Sequence, residues 1–441
     1  MVARARSGEL TGWVRASAGK LRPGEVAWQT ASWASVVSDN FVTSVCACCY
    51  TVPTADAGLT IQCKECGIAY YCSEECKQAV SAVHAYECKP AWQIVQMTQG
   101  KSDTRGARML IRVLSQRRLE LDSAAPAAEP EPAEEASAKP AVWRGTRWAD
   151  IDKLVSHLDA MSEQKITAFR AIAKGIGRMP VAKDVTEDEL VKLVATLQCN
   201  SQAIVDLNHH KRGDLLIAPA DANHSCNPNC FVAFYGNEVQ FRVIREIAKG
   251  EELTITYTDL YLPREVRQNK LLSSHCFQCG CSRCLDDASE SVDAKLSGFR
   301  CKSLGCEGVV TQGATTVCSQ CEARYDPRAL EATSKQALEM FDLAASTYKE
   351  KNFEEARRQF EAFMGGCGSE LHPGHTLIYN ALHQLMSVCN ALQDAQAGAD
   401  YAKQAIAALV KVYPPYHSEV AMMHAALAQV CASTVSLVSI F

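Results

Sequence analysis

Apolar and polar residues follow two different periodicities along this chain. Between residues 202 and 260 they alternate, as in Val239-Gln240-Phe241-Arg242-Val243, and a period of two predicts β-strands. Short strands are also predicted over residues 1–45, where a turn at Leu21-Arg22-Pro23-Gly24 leads into one of them. Apolar residues recur at helical spacing over three other stretches, which are 91–121, Trp148 to Thr196, and about 330 to the end. The pattern therefore predicts an α+β protein with a helical C-terminal part.

Two segments refine this picture. Residues 123–141 are rich in Ala, Pro and Glu, so they cannot form a core and predict a solvated loop. Further on, the small and aromatic residues of 344–356 and 401–405 have the spacing of tetratricopeptide-like helices. A plain helical bundle fits the same residues, and the pattern alone leaves both open.

Composition narrows the class of protein. With 441 residues, 47% of them hydrophobic and 22% charged, the chain has room for about two to four globular domains. A net charge of −5 argues against binding nucleic acid through the chain as a whole. We expect neither a secretory signal nor a membrane helix, because the N-terminus leads into no apolar run and the apolar stretches are short. The 22 cysteines lie mostly in CxxC-like clusters, which favours zinc thiolates in a reducing compartment over disulfides.

The first cysteine cluster predicts a small module with two zinc ions. Its ligand types come in pairs two or three residues apart, which are Cys46-x2-Cys49, Cys63-x2-Cys66, Cys72-x3-Cys76 and His84-x3-Cys88. A tight turn can aim both ligands of such a pair at one ion. A module this small cannot fold by burying apolar surface, so the metal would supply its folding energy.

Two further clusters predict one zinc site each. In Cys276-x2-Cys279-x-Cys281-x2-Cys284, three thiolates and a distant one would close a site, and Cys226 is the candidate fourth ligand, with Cys279, Cys281 and Cys284. The last cluster, Cys301-x4-Cys306-x11-Cys318-x2-Cys321, has the spacing of a zinc ribbon. Four protein ligands close each site, so zinc is expected to be structural here and not the catalyst. Most of the other cysteines are expected to be small buried residues.

Two motifs between these clusters carry a resemblance. Asn223-His224-Ser225-Cys226-Asn227-Pro228-Asn229, followed by Gly250-Glu251-Glu252-Leu253-Thr254-Ile255-Thr256-Tyr257, resembles the core of a SET-domain lysine methyltransferase. A MYND-type zinc finger inserted near the start of a SET domain marks the SET-and-MYND-domain (SMYD) family. Residues 276–284 are similar to that family's post-SET zinc segment, and Leu21 to Val26 to its N-terminal SET half. The ribbon at 301–321 resembles the more divergent, plant- or protist-like members.

The resemblance implies a domain order. It is a β-rich SET fold split by a MYND zinc finger and a helical insert, followed by zinc segments and an α-helical, tetratricopeptide-like domain. The implied boundaries are 1–45 for the SET N-terminal part, 46–88 for MYND, 89–197 for the insert with its loop at 123–141, 198–262 for the SET core, 263–328 for the post-SET and ribbon-like segment, and 329–441 for the helical domain.

The resemblance also implies a reaction and its residues. In the family, S-adenosylmethionine binds on one side of the domain, and a deprotonated substrate lysine enters a channel from the other side and attacks the methyl group in line. Tyr257 aligns with the catalytic tyrosine. The implied cofactor contacts are Gly12, His157, Asn200, Asn223, His224, Tyr257 and Phe277. In the MYND module the ligand pairs would alternate, so that one ion is held by Cys46, Cys49, Cys72 and Cys76, and the other by Cys63, Cys66, His84 and Cys88. About four zinc ions are thus expected.

Three positions depart from the family pattern. Leu10 replaces the first glycine of the loop against the cofactor, where only Thr11-Gly12-Trp13 remains. Gln202 replaces an aromatic residue that lines the lysine channel, and Ala222 replaces a leucine before Asn223. The first two affect the cofactor contact and the number of methyl groups transferred.

Plainer interpretations of these residues stay open at this point. Asn223 and His224 could satisfy buried backbone groups, His157 could lie on a helix surface, and Phe277 could be core. Tyr261 lies near Tyr257 and competes with it for the catalytic role.

Three functions are open as well. The protein is a lysine methyltransferase acting on a histone or non-histone protein, or a catalytically weak scaffold that binds partners through MYND and the helical tail. It could also be a DNA- or chromatin-binding factor that uses a basic patch formed by Arg105, Arg108, Arg112, Arg117 and Arg118. We expect a monomer in the cytoplasm and/or nucleus, with a proline-rich peptide as a partner of MYND.

Overall fold

The computed structural model describes residues 20–53, 58–98, 102–123, 141–143, 147–205, 211–216, 222–312 and 316–438. Gly12, Leu10 and the loop 124–140 lie outside these ranges. The chain forms two compact units. The first comprises Met1–Asn223, Asn229–Ile255 and Leu272–Phe277, and the second comprises His224–Pro228, Thr256–Leu271 and Gln278–Phe441.

Short strands build the first unit. They are β1 (Val26–Ala31), β2 (Ala34–Val37), β3 (Ile61–Gln62), β4 (Tyr70–Tyr71), β5 (Ala141–Trp143), β6 (Ser201–Val205), β7 (Lys211–Leu216), β8 (Asn223–His224, whose second residue belongs to the other unit), β9 (Cys230–Tyr235), β10 (Glu238–Val243) and β11 (Thr254–Ile255). One sheet has the order β5-β1-β10-β9 and another the order β2-β7-β6. In the first sheet β10 is antiparallel to both neighbours, so the alternating residues of β10 place Val239, Phe241 and Val243 in the core.

The turn between β9 and β10 shows why glycine is needed there. Tyr235 pairs with Glu238, so Gly236 and Asn237 form a two-residue hairpin loop, and Gly236 has a φ of +64°. A Cβ atom on Gly236 would lie 2.2 Å from the backbone oxygen of Cys49. The hairpin therefore packs directly against the turn that carries Cys49, and a side chain at this position would push the two apart.

The helices of the first unit are α1 (Glu74–Ala79), α2 (Ser81–Thr98), α3 (Arg105–Asp122), α4 (Trp148–Ile151), α5 (Glu163–Ile176) and α6 (Glu187–Asn200), with short 3-10 helices at Asp39–Phe41, Leu158–Ala160 and Pro180–Ala182. The stretch expected to be helical over 91–121 is two helices. The second one, α3, begins after Thr104, whose N–H and hydroxyl donate hydrogen bonds to Asp39 (2.6 and 2.8 Å). A capping box formed by Thr186 and Glu189 starts α6. Helix α6 then ends at Asn200.

The second unit is mostly helical. Its elements are α7 (Arg264–His275, whose last turn belongs to the first unit), α8 (Val292–Ser297), β12 (Phe299–Arg300), β13 (Val309–Val310), α9 (Pro327–Lys349), a 3-10 helix at Cys367–Glu370, α10 (Phe353–Gly365), α11 (Thr376–Ala391), α12 (Ala395–Leu409) and α13 (Ser418–Val438). From α9 to α13, each helix packs on the next. Fully buried alanines allow this close approach, among them Ala337, Ala344, Ala356, Ala381, Ala402 and Ala405. The mixed α+β prediction is confirmed.

The arginines of α3 do not form an open basic patch. Arg108 is buried and donates to the backbone oxygen of Val37, and it also pairs with Asp39. Arg112 pairs with Glu87 at 2.7 Å, and Arg117 lies over the ring of Trp148. The remaining pairs are Arg105 with Asp103, and Arg118 with Asp122 and Asp184. These contacts are intramolecular, which argues against the DNA-binding hypothesis.

Within the ranges that the structure describes, we find no helix with the length and apolar character needed to span a bilayer.

Candidate functional site

Four groups of metal-type ligands converge in the structure. They are Cys46, Cys49, Cys72 and Cys76; Cys63, Cys66, His84 and Cys88; Cys226, Cys279, Cys281 and Cys284; and Cys301, Cys306, Cys318 and Cys321. The ligand atoms of each group lie within 4.8 Å of one another. Individual sulfur pairs are closer, for example 3.6 Å between Cys49 and Cys72 and 3.7 Å between Cys63 and Cys88. Thiolates around a tetrahedral zinc ion at about 2.3 Å are roughly 3.8 Å apart, so all four groups fit zinc.

The first two groups interleave along the chain, as the resemblance implies. Helix α1 carries Cys76, and α2 carries His84 and Cys88. The Nδ1 atom of His84 donates to Glu87 at 3.0 Å, which leaves Nε2 facing the sulfur of Cys66 at 3.7 Å. Carboxylates commonly fix the ring of a ligating histidine in this way. Cys48 lies between two ligands in sequence but belongs to neither group.

The third group rests on a buried charge network. Arg267 has no exposed surface, and its guanidinium donates to the sulfurs of Cys226 (3.2 Å) and Cys284 (3.6 Å). Asp293 accepts two hydrogen bonds from Arg267, at 2.7 and 2.8 Å, and a third from Arg283 at 2.8 Å. Burial alone would raise the pKa of Asp293, but these two arginines outweigh it and lower the pKa. Arg267 therefore offers positive charge to the thiolates while Asp293 holds it in place.

The fourth group has a compact ribbon geometry. Sulfur pairs Cys301–Cys321 and Cys306–Cys318 are each separated by 3.5 Å, and the Tyr325 hydroxyl donates to Cys301 at 3.2 Å. A Cβ atom on Gly308 would lie 2.4 Å from the sulfur of Cys318, so glycine is needed there for the knuckle to close around its thiolates.

His224 connects the third group to Tyr257. Its Nε2 atom lies 3.2 Å from the Cys226 sulfur, and its Nδ1 atom accepts the backbone N–H of Tyr257 at 2.9 Å. These two contacts assign the proton to Nε2, because Nδ1 must present a lone pair. The rings of His224 and Tyr257 have centroids 5.3 Å apart. His224 thus fixes the backbone that carries the candidate catalytic tyrosine, and any contact of His224 with a cofactor would involve its backbone.

Tyr257 and Tyr261 have different environments. Tyr257 is partly exposed, as a residue that meets a substrate must be. Tyr261 is only 1% exposed, stacks on Tyr379 at 4.1 Å, and donates its hydroxyl to the backbone oxygen of Gly374. Burial also raises the pKa of Tyr261. The competing assignment of catalysis to Tyr261 is therefore not supported, since its hydroxyl is part of the core.

Asn200 and His157 come together in the first unit. The side-chain N–H groups of Asn200 donate to the backbone oxygens of Val155 (2.9 Å) and Thr196 (2.7 Å), and Cys199 contacts the backbone oxygen of Ser156. His157 follows directly, in a left-handed conformation with φ of +50° at the start of a 3-10 helix. It is half-buried in a loop, so the surface-helix interpretation is wrong for this residue.

Phe277 is joined to this region by a histidine that sequence reasoning missed. His275 contacts the backbone oxygen of Cys199 through Nδ1 at 3.3 Å, and its ring lies 6.4 Å from that of Phe277. Burial lowers the pKa of His275 and outweighs the opposite effect of the Cys199 carbonyl, and His157 lowers the pKa further. Phe277 is half-buried and is not a core residue. The only signal for His275 was its position just before Cys276-Phe277.

Asn223 is exposed and presents its amide in a defined orientation. Its Nδ2 atom donates to Glu252 at 2.7 Å, so Oδ1 is the atom that it offers to a ligand. The side-chain N–H groups of Asn200 likewise donate to backbone oxygens. Two amide oxygens of this kind suit a ligand with an ammonium group or amine donors, such as the amino-acid end and the adenine of S-adenosylmethionine. Gln202 lies in β6, two residues after Asn200.

The last asparagine of the 223–229 motif has a structural role. Asn229 is 1% exposed, donates to the backbone oxygen of Glu252 at 2.7 Å, and accepts the N–H of Thr254 at 2.7 Å. It therefore ties this motif to β11, from which the chain continues to Tyr257.

Comparisons with known proteins agree with these observations. A model of the SET domain matches residues 71–258. The histone-lysine N-methyltransferase ASHR1 of Arabidopsis thaliana is 21% identical over 405 residues, which are 90% of this chain and 80% of that protein. The N-lysine methyltransferase SMYD2 of Homo sapiens is 24% identical over 406 residues, 91% of this chain and 82% of its own. The similarity thus extends well beyond the SET domain on both sides.

Proposed function

This chain is a divergent member of the SET-and-MYND-domain (SMYD) family, and from that premise we propose that it is an S-adenosylmethionine-dependent protein-lysine N-methyltransferase. One observation carries most of the argument. His224, directly after Asn223, holds the backbone of Tyr257 while its other ring nitrogen faces a zinc-type thiolate. The backbone of Tyr257, the tyrosine that we propose to be catalytic, is thus held by a hydrogen bond.

The residues support a mechanism of positioning. When bound, the cofactor supplies a methyl group on a sulfonium, which is already electrophilic. The chain therefore needs to align a neutral lysine amine with that methyl group and to exclude water. Tyr257 would orient the amine through its hydroxyl. The amide oxygens of Asn200 and Asn223 would accept hydrogen bonds from the cofactor, and Phe277 would pack on its adenine.

A catalytically weak scaffold is the second candidate. It is favoured by Leu10 and Gln202, which replace family residues at the cofactor loop and the lysine channel. It is disfavoured by the hydrogen bonds that hold Tyr257, Asn200 and Asn223, because a scaffold has no use for them. Binding of the cofactor separates the two functions.

Cofactor binding gives the first prediction. The zinc-loaded protein is expected to bind S-adenosylmethionine in the micromolar range, and Asn223→Ala is expected to weaken binding at least tenfold, since a lost charge-assisted hydrogen bond costs about 1.5–3 kcal/mol. Isothermal titration calorimetry measures both. Asn390→Ala, at an exposed position of α11, is the matched control and should bind as the wild type does. If well-folded protein binds no cofactor, the methyltransferase proposal fails and the scaffold function is favoured.

Zinc content gives the second prediction. We propose four structural zinc ions, and mass spectrometry of metal content should return four per chain. Cys306→Ser removes a ligand of the fourth group and should lower the content to three. Cys48→Ser is a strict control, because Cys48 lies between the ligands Cys46 and Cys49 yet outside their group. Loss of zinc in Cys48→Ser would overturn the ligand assignment.

The finer features of this protein are also proposals. The packing of each helix on the next over α9–α13 supports tetratricopeptide-like repeats, which could dock a protein partner. We further propose a proline-rich peptide as a ligand of the MYND module, a protein lysine in a histone or another protein as substrate, and a monomeric state. Clustered thiolates need a reducing compartment, which supports the cytoplasm and/or nucleus.

A further inference from the structure

The chain just after Tyr257 is anchored at several points within the second unit. Asp259 Oδ1 accepts the hydroxyl of Tyr413 at 2.6 Å and the N–H of Tyr261 at 2.8 Å. The N–H of Leu260 donates to the same Tyr413 hydroxyl at 3.0 Å. A single phenol group thus bridges a side chain and a backbone amide within three residues of Tyr257.

Other contacts close this segment from both sides. Arg283 Nη2 donates to the backbone oxygen of Leu260 at 2.9 Å, from within the cysteine segment of the third ligand group. Thr376 at the start of α11 donates to the backbone oxygen of Tyr261 at 2.9 Å. Residues 260 and 261 are therefore bonded at both their N–H and their C=O groups, and Leu260 and Tyr261 are buried.

The loop that carries Tyr413 is restrained by two prolines and by packing of its side chains. Tyr413 is 6% exposed and is followed by Pro414 and Pro415 between α12 and α13. His417 packs its ring 4.7 Å from that of Tyr413, and its N–H donates to the backbone oxygen of Pro414. Burial raises the pKa of Tyr413, and the neighbouring Asp259 carboxylate raises it further, so the hydroxyl stays protonated and keeps donating.

We propose that Tyr413 is a positioning residue for methyl transfer, which acts by clamping Asp259 and Leu260 and so fixing the chain directly after Tyr257. This inference rests on the proposed function of Tyr257. The helical tail would then be part of the support of the catalytic residue, in addition to any docking role. Tyr257 would be held at its N–H by His224 and, two residues on, by the helical tail.

The test replaces Tyr413 by phenylalanine in the full-length, zinc-loaded protein. The ring is retained while both hydrogen bonds are lost, so kcat should fall about tenfold with KM and cofactor affinity unchanged, because small misplacements of a reacting group are costly. Methyl transfer is measured with labelled S-adenosylmethionine and core histones plus a lysine-peptide library. Amide hydrogen exchange should become at least tenfold faster at Leu260 and Tyr261 but not in α13. Tyr416→Phe, three residues away and 61% exposed, is the matched control.

Asp259 provides the conservative variant. Asp259→Asn keeps an oxygen acceptor for the Tyr413 hydroxyl and should retain most of kcat, whereas Asp259→Ala should resemble Tyr413→Phe. The kcat of the double variant Tyr413→Phe/Asp259→Ala should be no lower than that of the less active single variant, as expected for two members of one contact. A purely structural role of Tyr413 would lower stability without this pattern in kcat.

The outcomes separate the clamp from the proposed function. Faster exchange at Leu260 with unchanged kcat overturns the positioning role, and unchanged exchange overturns the clamp itself. If wild-type protein binds no cofactor and transfers no methyl group, the proposed function fails and the catalytic role of Tyr413 fails with it. The exchange rates decide on the clamp in that case too.

Discussion

Replacing Tyr257 by phenylalanine is expected to lower methyl transfer by about 10²–10³-fold, the usual effect of removing one preorganised hydrogen-bonding group from a reacting centre. The backbone of Tyr257 is held by the Nδ1 atom of His224, a contact that the substitution leaves intact. Folding, zinc content and cofactor affinity should therefore stay close to those of the wild type. Labelled methyl transfer at saturating cofactor, together with calorimetry, measures the two properties separately.

Tyr235→Phe is the control for this prediction, since Tyr235 lies at the end of β9 and is 53% exposed. This substitution also removes one tyrosine hydroxyl, but from an exposed position, and it should leave methyl transfer unchanged. Full activity of Tyr257→Phe would show that the hydroxyl of this tyrosine takes no part in the reaction, and the assignment of the catalytic role would have to move elsewhere.

The four groups of zinc-type ligands were the part of the molecule most open to prediction from sequence. Ligation by pairs such as Cys63 and Cys66 depends on spacing within one turn, so it can be recognised without any knowledge of the fold. The strands and helices were predictable for a similar reason, because their periodicity is local. The break between α2 and α3 was not, since it depends on Asp39 reaching Thr104 across the chain.

The support of the site could not be predicted in the same way. His275 meets Cys199, Tyr413 meets Asp259, and Arg267 meets both Cys226 and Asp293, and none of these pairs has a signature in sequence. The α3 arginines show the opposite case. Their clustering in sequence was compatible with a basic surface, but most of them contact acidic or aromatic residues from distant segments. A cluster of arginines in the sequence therefore predicts a basic surface only when the intramolecular partners of those arginines are known.

Replacing Asp293 by asparagine is expected to destabilise the region around the third ligand group by about 3–5 kcal/mol. The substitution keeps the shape of the side chain but removes the charge that compensates the fully buried Arg267, and an uncompensated buried charge is costly. Arg283 loses a partner at the same time. Because Arg267 donates to Cys226 and Cys284, the affinity of this group for zinc should fall as well.

The measurement is local, since a metal-binding protein with two units need not unfold in one step. Native-state hydrogen exchange gives the free energy of opening for the amides of α7 and α8, and metal analysis after dialysis against a chelator reports the ion. Asp287→Asn is the matched control, because Asp287 makes the same kind of pair with Arg264 but is 86% exposed in its side chain. An exposed pair contributes about 0–1 kcal/mol, so this variant should keep its zinc and its exchange rates. Equal effects of the two substitutions would mean that the charge of Asp293 does not hold Arg267 in place. The zinc segment would then owe its order to the metal rather than to this charge pair.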